Sequence, residues 1–594
     1  MNACRILAFA LAGVMVQPAW SDEPAPPFLA RLETGTSFRT EDEALQRLYH
    51  AAERVLAGNI VRFTPSMQIL VEGGGYPNAW IETQPMGGEM FAKRDPQVAL
   101  NNQSIFLLTQ RKDGRLPGMV VSGTTARAKG WDKNAPEGHI WMPEVDLLAD
   151  YEMFQGFCFP EPAWRMYHWM GRDKAYLQKL HDALAAYDAY LWRTRDSNGD
   201  GLLETWCVWD TGEDSANRYA KRWAPSRWPF EKPPGTPGLP DPENPKDYGS
   251  YWFHPLAENQ QRPKPEMVMT PFASMDIMAY SYNARATLSV VAKELGTGKE
   301  SHWITQAADV RKRLIEHLWD KERHACFDRD RLGQRLPELI HNNLRCMWHG
   351  IFTQDMADAF IRHHLTNPRA FWTPVPLVSV AIDDPLYENA PGNNWSGQPQ
   401  GLTYQRAIDA LERYGHFAEV TLLSNKLLSV LIRNDCRFSQ QFDAMTGKPS
   451  GQKPDGYGPM ALAALEYLSR TQGIHLDVAN QRVWWSSANP AAAHFNHIQR
   501  WGEHRFELRH NQRKMTALVD GKTVFTCDAG TRVVTDLSGR VLELHGISPE
   551  TRTVTLGTDS HAHELAIAPN EIHEPTPTGL RLKTRVPFTL PPGE

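Results

Sequence analysis

One stretch of the chain concentrates groups able to move protons. It reads Trp206-Cys207-Val208-Trp209-Asp210-Thr211-Gly212-Glu213-Asp214-Ser215-Ala216-Asn217-Arg218-Tyr219. Asp210, Glu213 and Asp214 fall within five residues, and crowded acids raise one another's pKa. One of them can then stay protonated near neutral pH and serve as a general acid. A solvated acidic turn is the plainer reading, but such turns seldom carry two tryptophans and a tyrosine. Just upstream, Asp196, Asn198, Asp200 and Glu204 alternate with small residues and glycines. That spacing suits either a hard cation such as Ca²⁺ or a tight turn in which Asp196 caps backbone amides.

Two further loops are rich in amides and aromatics. Asn393-Asn394-Trp395-Ser396-Gly397-Gln398-Pro399 leads towards Arg413-Tyr414-Gly415. Arg437-Phe438-Ser439-Gln440-Gln441-Phe442-Asp443 leads through Thr446-Gly447 to Gly456-Tyr457-Gly458. Side chains of this kind hydrogen-bond hydroxyls and stack on sugar rings, although each loop alone is only a polar loop.

Elements that could position these groups are mostly helical. Apolar residues recur at the 3.6 period over Glu41–Val61, Pro96–Gln110, Pro143–Met170, Lys174–Arg193, Pro271–Leu295, Ser301–Trp319, Gln354–His364, Gln400–Arg413, His416–Ile432 and Pro459–Gln472. Paired helices separated by such loops predict an α/α toroid over residues 40–474. Residues 224–265 break the pattern with eleven prolines in 42 residues, which predicts an irregular flap over a cleft. From 475 to 594 the period becomes that of strands: Arg505–His510, Met515–Val519, Lys522–Thr526, Arg532–Asp536, Arg540–His545, Thr551–Leu556 and Leu580–Arg585. Asp520-Gly521 adds a hairpin signal. The expectation is a C-terminal antiparallel β-sandwich.

Residues 1–21 read as a secretory signal: Arg5, the apolar run Ile6–Val16, then Ala19-Trp20-Ser21 as a cleavage site. An exported protein, periplasmic or secreted, follows, with no membrane insertion after cleavage and an extended segment over 22–39. Seven cysteines in 594 residues make no disulfide scaffold; Cys158 and Cys207 sit among aromatics as buried thiols do. A net charge of −6 argues against a nucleic-acid partner. The 20 tryptophans suit sugar stacking as well as core packing.

The order of these segments resembles the inverting (α/α)6 glycosidases of glycoside hydrolase family 63 and the mannosylglycerate hydrolase-like group, relatives of the trehalases. Trp209-Asp210-Thr211-Gly212-Glu213-Asp214-Ser215 is similar to their W-E-S-G-x-D-N-S loop, whose Asp at the position of Asp214 is the general acid. Asn394-Trp395-Ser396-Gly397 resembles their Y-W-R-G segment. Tyr76-Pro77-Asn78-Ala79-Trp80-Ile81-Glu82-Thr83 is similar to their first W-D-S/T stretch, whose acid holds sugar hydroxyls. Leu318-Trp319-Asp320 and Phe327-Asp328 match their L-W-D and Y-D pattern. One departure stands out: aligned on Thr446-Gly447, the family's general base falls on Gln440, an amide that accepts no proton. Asp443, Glu82 or Asp435 are the alternatives for that task.

The resemblance implies an exported inverting glycoside hydrolase acting on a carbohydrate, with Asp214 as acid and Gln440 holding water or a hydroxyl. Trp80, Glu82, Trp209, Arg218, Trp395, Gln398 and Asp443 are the expected substrate contacts. No cofactor is required beyond a structural Ca²⁺ on the Asp196–Glu204 loop. Two other readings stay open. A polysaccharide lyase of the α/α-toroid type could use Tyr219, Tyr251, His254 and Arg218, and a glycan-binding protein could have lost its base.

Overall fold

The computed structural model describes residues 26–594, apart from 137, 152–153, 197, 206–208, 221–271, 331–332, 512 and 559–561. The expected signal segment, Cys207 and the proline-rich insertion 224–265 lie outside the described residues.

Among the described residues, twelve helices of seven residues or more carry the first part of the chain: α1 (Glu43–Gly58), α2 (Gln84–Phe91), α3 (Pro96–Leu108), α4 (Pro160–Trp169), α5 (Lys174–Thr194), α6 (Met275–Leu295), α7 (Glu300–His317), α8 (Asn342–His349), α9 (Gln354–Phe360), α10 (Gly401–Glu412), α11 (Phe417–Arg433) and α12 (Gly458–Thr471). The even-numbered helices follow one another in space. Helix α2 packs on α4, α4 on α6, α6 on α8, α8 on α10 and α10 on α12, which returns to α2. Odd-numbered helices lie against this ring, with α1 on α11 and α12, α3 on α2, and α5 and α7 on α6. Helix α1 shows how the outer layer is specified. Asp42 caps it by accepting from the amides of Ala44 and Leu45, and Leu45, Leu48, Tyr49, Ala52 and Leu56 form its buried stripe.

Ring helices are enclosed on more sides. All eight residues of α8 and all fourteen of α12 are buried, as is every residue of α2 except Glu89. At eight residues each, α2 and α8 are too short to show a repeat and are absent from the periodicity reading, whereas α6, α10 and α12 lie within it. The long helix expected over Pro143–Met170 is also corrected. Only Pro160–Trp169 is helical, and Leu147–Asp150 is a strand between Met119–Ser122 and His139–Met142.

Two antiparallel sheets follow. The seven-stranded sheet runs Thr34–Thr40, Phe495–Trp501, His504–Asn511, Lys514–Val519, Lys522–Asp528, Arg552–Gly557 and Ala562–Ile567. The six-stranded sheet runs Gln472–Asp477, Arg482–Ser487, Thr531–Asp536, Val541–Gly546, Glu571–Thr576 and Gly579–Arg585. Trp485 fills the space between them, edge-on to Phe506 and Phe525, with its indole N–H donating to Thr535 at 2.9 Å. Asp520 and Gly521 both take positive φ (51° and 81°), the backbone of a type I′ hairpin. The segment expected to be merely extended supplies an edge strand, with Thr34 opposite Trp501 and Thr40 opposite Phe495. A buried ion pair ties the six-stranded sheet to the far end of α10, Arg532 to Glu412 at 2.6 Å, and Arg470 of α12 joins the same carboxylate at 2.8 Å. Among the described residues no helix is long and apolar enough to cross a membrane.

Candidate active site

The loops that meet the Asp210–Ser215 loop at one end of the ring lead into the N-termini of ring helices. Trp80–Thr83 precede α2, His341 precedes α8, Asn393–Gln400 precede α10, and Gln440 and Tyr457 precede α12. Helix N-termini directed at one place favour negative charge there.

The Asp210–Ser215 loop is folded by its own acids. Asp210 pairs with Arg195 at 3.1 Å, both fully buried. Glu213 accepts from Arg218, from Thr211 Oγ1 at 2.6 Å and from Asn342 Nδ2 at 3.2 Å. Burial alone would push the Glu213 carboxyl upward, but Arg218, His341 and Arg345 overcome it and hold the group well below the usual range. Asp214, the next residue, has no cation. Burial pushes it up to about 6, opposed only by Asn393 Nδ2, which donates to Oδ2 at 2.6 Å; Oδ1 is buried without a partner. Adjacent carboxyls thus sit in opposite environments, one fixed as an anion and one poised to carry a proton.

A line of hydrogen bonds runs from Asp214 across the site. Asn393 Oδ1 accepts from Gln440 Nε2 at 2.8 Å and from Trp395 Nε1 at 3.2 Å, and Tyr76 donates to Gln440 Oε1 at 3.0 Å. A single asparagine therefore spans Asp214 and the position of the family base.

Two more carboxyls complete the cluster. Glu82 lies beneath the acid loop: a Cβ on Gly212, whose φ is +68°, would stand 2.4 Å from Glu82 Oε2. Burial, only partly offset by Arg406 and Arg345, pushes Glu82 up to about 8, and its Oε1 has no hydrogen bond. Glu72 is buried against Thr83, whose hydroxyl donates to it at 2.6 Å, and burial pushes it up to about 7. Also buried without hydrogen-bond partners in the protein are Trp80 Nε1, Arg345 Nη2, Arg406 Nη1 and His341 Nε2.

Several expected contacts are placed differently. Arg218 is held by Glu213 and by Asp328 at 2.6 Å, so it braces the acid loop instead of facing a substrate. Trp395 is only 2% exposed, its ring covered by His341 at 5.3 Å and by Arg345 at 5.6 Å, which leaves no face for a sugar to stack on. Gln398 accepts from Gln441 and Ser450 and donates to Asn389, which locks the loop before α10. Asp443 caps the amides of Met445 and Thr446 and accepts from Asn389, so its carboxyl is lowered and engaged in a turn. Asp435 is exposed beyond the end of α11. Trp209 is half-buried against the core, and its carbonyl accepts from Gln155.

The Asp196–Glu204 loop is a turn. Asp196, Asn198 and Asp200 accept from the amides of Gly201, Asp200 and Leu202, and Glu204 is buried in a short strand. Among the described residues no group of three or more His, Cys, Asp or Glu is placed to hold a metal ion. Cys158 is a buried free thiol donating to Ile81 O, as its surroundings led one to expect.

Residues missed at the sequence level are Glu72, Arg345, Arg406 and His341. The signal for Glu72 was the following Gly73-Gly74-Gly75, all of positive φ (70°, 58° and 112°), a backbone shaped for something. The arginines sit on ring helices and had no local signal.

Comparison with known proteins agrees with this architecture. The family model described as the mannosylglycerate hydrolase MGH1-like glycoside hydrolase domain matches residues 88–458. Among solved structures, the family 63 mannosylglycerate hydrolase from Thermus thermophilus in complex with glucose is similar at TM-score 0.52. Its identity is 19%, over 71% of this chain and 99% of that one. The same hydrolase with Tris and D-glycerate matches at TM-score 0.50 and 20% identity, over 70% and 99%. A sialidase matches at TM-score 0.57 and 12% identity, over 84% of this chain and 41% of the other. No curated protein matches in sequence. The fold, the carboxyl cluster and the family match define a glycoside hydrolase. The chain belongs to the mannosylglycerate hydrolase MGH1-like glycoside hydrolase domain family.

Proposed function

We propose that the protein is an exported glycosidase that cleaves its substrate with inversion, and that its closed ring of helices is an (α/α)6 toroid. The observation that carries this reading is Asp214: a half-buried residue whose carboxyl has one oxygen buried without a partner, raised to about 6 with no cation beside it. Such a group carries a proton at mildly acidic pH and can hand it to a leaving glycosidic oxygen. As the carbon–oxygen bond breaks, its electron pair goes to that oxygen, which takes the Asp214 proton. Water adds to the opposite face of the sugar, which requires a base on the far wall and about 6.5–9.5 Å between the two carboxyls. Helix N-termini and buried carboxylates surround the site, and the negative charge of those carboxylates supports a developing oxocarbenium.

Trp80 Nε1, Glu82 Oε1 and Arg406 Nη1 are the groups left for sugar hydroxyls, since buried polar groups ordinarily find partners. Gln440, tethered to Asn393 and Tyr76, orients rather than accepts. The first substrate to try is mannosylglycerate, from which the Thermus structure takes its name, beside a panel of α- and β-linked oligosaccharides.

The test is the anomer released, followed by proton NMR within the first turnovers. The opposite configuration to the substrate is expected. Retention would overturn the inverting reading, and an unsaturated product absorbing in the near ultraviolet would move the protein to the lyases.

A further inference from the structure

With an amide at position 440, some other group must take the proton of the attacking water. The carboxyls near Asp214 can be sorted by their partners. Asp210 is paired with Arg195, Glu213 with Arg218, Asp276 with Arg345 at 2.6 Å, and Asp328 with Arg218. Each already has a guanidinium for a partner. Glu82 lies 3.7 Å from Arg406 and directly under Gly212, on the same side as the acid's own loop. Water must approach from the opposite side.

Glu72 differs on every count. It has no ion pair, and the side chains that donate to it are hydroxyls, those of Thr83 and Tyr457. Among charged groups, Asp214 acts on it most strongly. It is also built into the wall that carries Gln440. Its carbonyl accepts from Gly458 N at 2.5 Å, Tyr457 N donates to Phe438 O two residues before Gln440, and Tyr76, four residues after Glu72, donates to Gln440. The triple glycine makes this approach possible, since a Cβ on Gly74 would stand 3.2 Å from Tyr457 Cα at a φ of +58°.

We infer that Glu72 is the general base of this enzyme, acting from the loop beside the position where the family keeps its own. The inference rests on the proposal above that Asp214 is the acid of an inverting hydrolase. In the step, one water proton passes to Glu72 while the water oxygen bonds to the anomeric carbon. The glycosidic bond breaks and the leaving oxygen takes the Asp214 proton. Glu72 ends protonated and Asp214 ionised, and exchange with solvent resets both. Tyr76 and Gln440, hydrogen-bonded to each other at 3.0 Å, line the wall beside that water and are positioning residues.

The test is Glu72→Gln in the full-length enzyme, beside Asp214→Asn and Glu82→Gln, with kcat, KM and thermal stability measured for each. The inference predicts a loss of ~10²–10⁴ in kcat for Glu72→Gln with KM little changed. Azide, a nucleophile needing no base, then restores turnover and gives a glycosyl azide of inverted configuration. Refilling the family position with Gln440→Glu recovers part of the activity in that background. Activity of Glu72→Gln within threefold of wild type, with Asp214→Asn inactive, overturns the base and leaves the acid standing. Rescue by azide of Glu82→Gln but not of Glu72→Gln overturns it too. Full activity in Asp214→Asn would instead bring down the proposed function itself. Should Glu72→Gln fail to fold, Glu72→Asp answers the same question: a kcat loss at retained KM is expected, and an unchanged kcat refutes the inference.

Discussion

At the residue scale, the site is governed by which carboxyls have cations and which do not. Glu213 and Asp214 are neighbours in the chain, yet Arg218 holds the first as an anion while burial holds the second near 6. Burial likewise pushes Glu72 up to about 7 and Glu82 up to about 8. A bell-shaped kcat/KM profile is expected, with both flanks between about pH 6 and 8. A flat profile from pH 5 to 9 would contradict it. Stability follows the same groups. Glu72 is raised from 4.5 to about 7 in the folded chain, so the folded state holds a proton that the unfolded chain releases between those values. Stability is therefore complete below about pH 4.5 and declines as pH rises through 7. Glu72→Gln removes that cost and should melt higher than wild type at pH 8, by up to about 3 kcal/mol. At pH 4 the two should melt alike, and equal melting at pH 8 would count against the raised pKa. Gly212→Ala forces a Cβ onto the Glu82 carboxylate at a φ of +68°. Activity should collapse on assay of that variant, whereas retained activity would place Glu82 elsewhere.

At the element scale, what could be read from sequence depends on an element's length and on how local its partners are. Helix α1 announced itself through Leu45, Leu48, Ala52 and Leu56, all buried as expected. Helices α2 and α8 did not, because eight residues make barely two turns, and the polar residues of α8, such as Asn342 and Arg345, point at partners rather than water. Asp214, the proposed acid, could be singled out because its loop is local in sequence. Glu72 was not, because Tyr457 and Gly458, which give it meaning, lie almost 400 residues away. Trp395 misled for a related reason: an indole in a polar loop suggests a stacking platform until His341 and Arg345 are seen covering it. Arg218 was mistaken for a substrate contact, although it neutralises Glu213 and Asp328 in the interior. Removing one partner of such a buried pair costs about 3–5 kcal/mol. Arg218→Leu should lower the denaturation midpoint accordingly. Below that midpoint KM should stay near the wild-type value, and a large rise in KM would return Arg218 to the substrate.

At the scale of the whole molecule, the two parts are laced rather than strung in series. Thr34–Thr40 lies in the seven-stranded sheet, the helical ring follows it in the chain, and the other strands of both sheets come after the ring. Arg532 and Arg470 reach Glu412 at the end of α10, whose other end leads from the Asn393–Gln400 loop of the site. Deleting residues 26–40 removes the partner of the Phe495–Trp501 strand and exposes its edge. Lower thermal stability and self-association on size exclusion are expected, and an unchanged melting temperature would contradict that account. The central claim remains that Asp214 protonates the leaving group, and one comparison addresses it most directly: wild type and Asp214→Asn on two glycosides of the same sugar. One should have a poor alcohol leaving group and the other an activated aryl group that departs without a proton. The account predicts a loss of ~10²–10⁴ on the first and a far smaller loss on the second. An equal loss on both would show that Asp214 serves something other than proton donation.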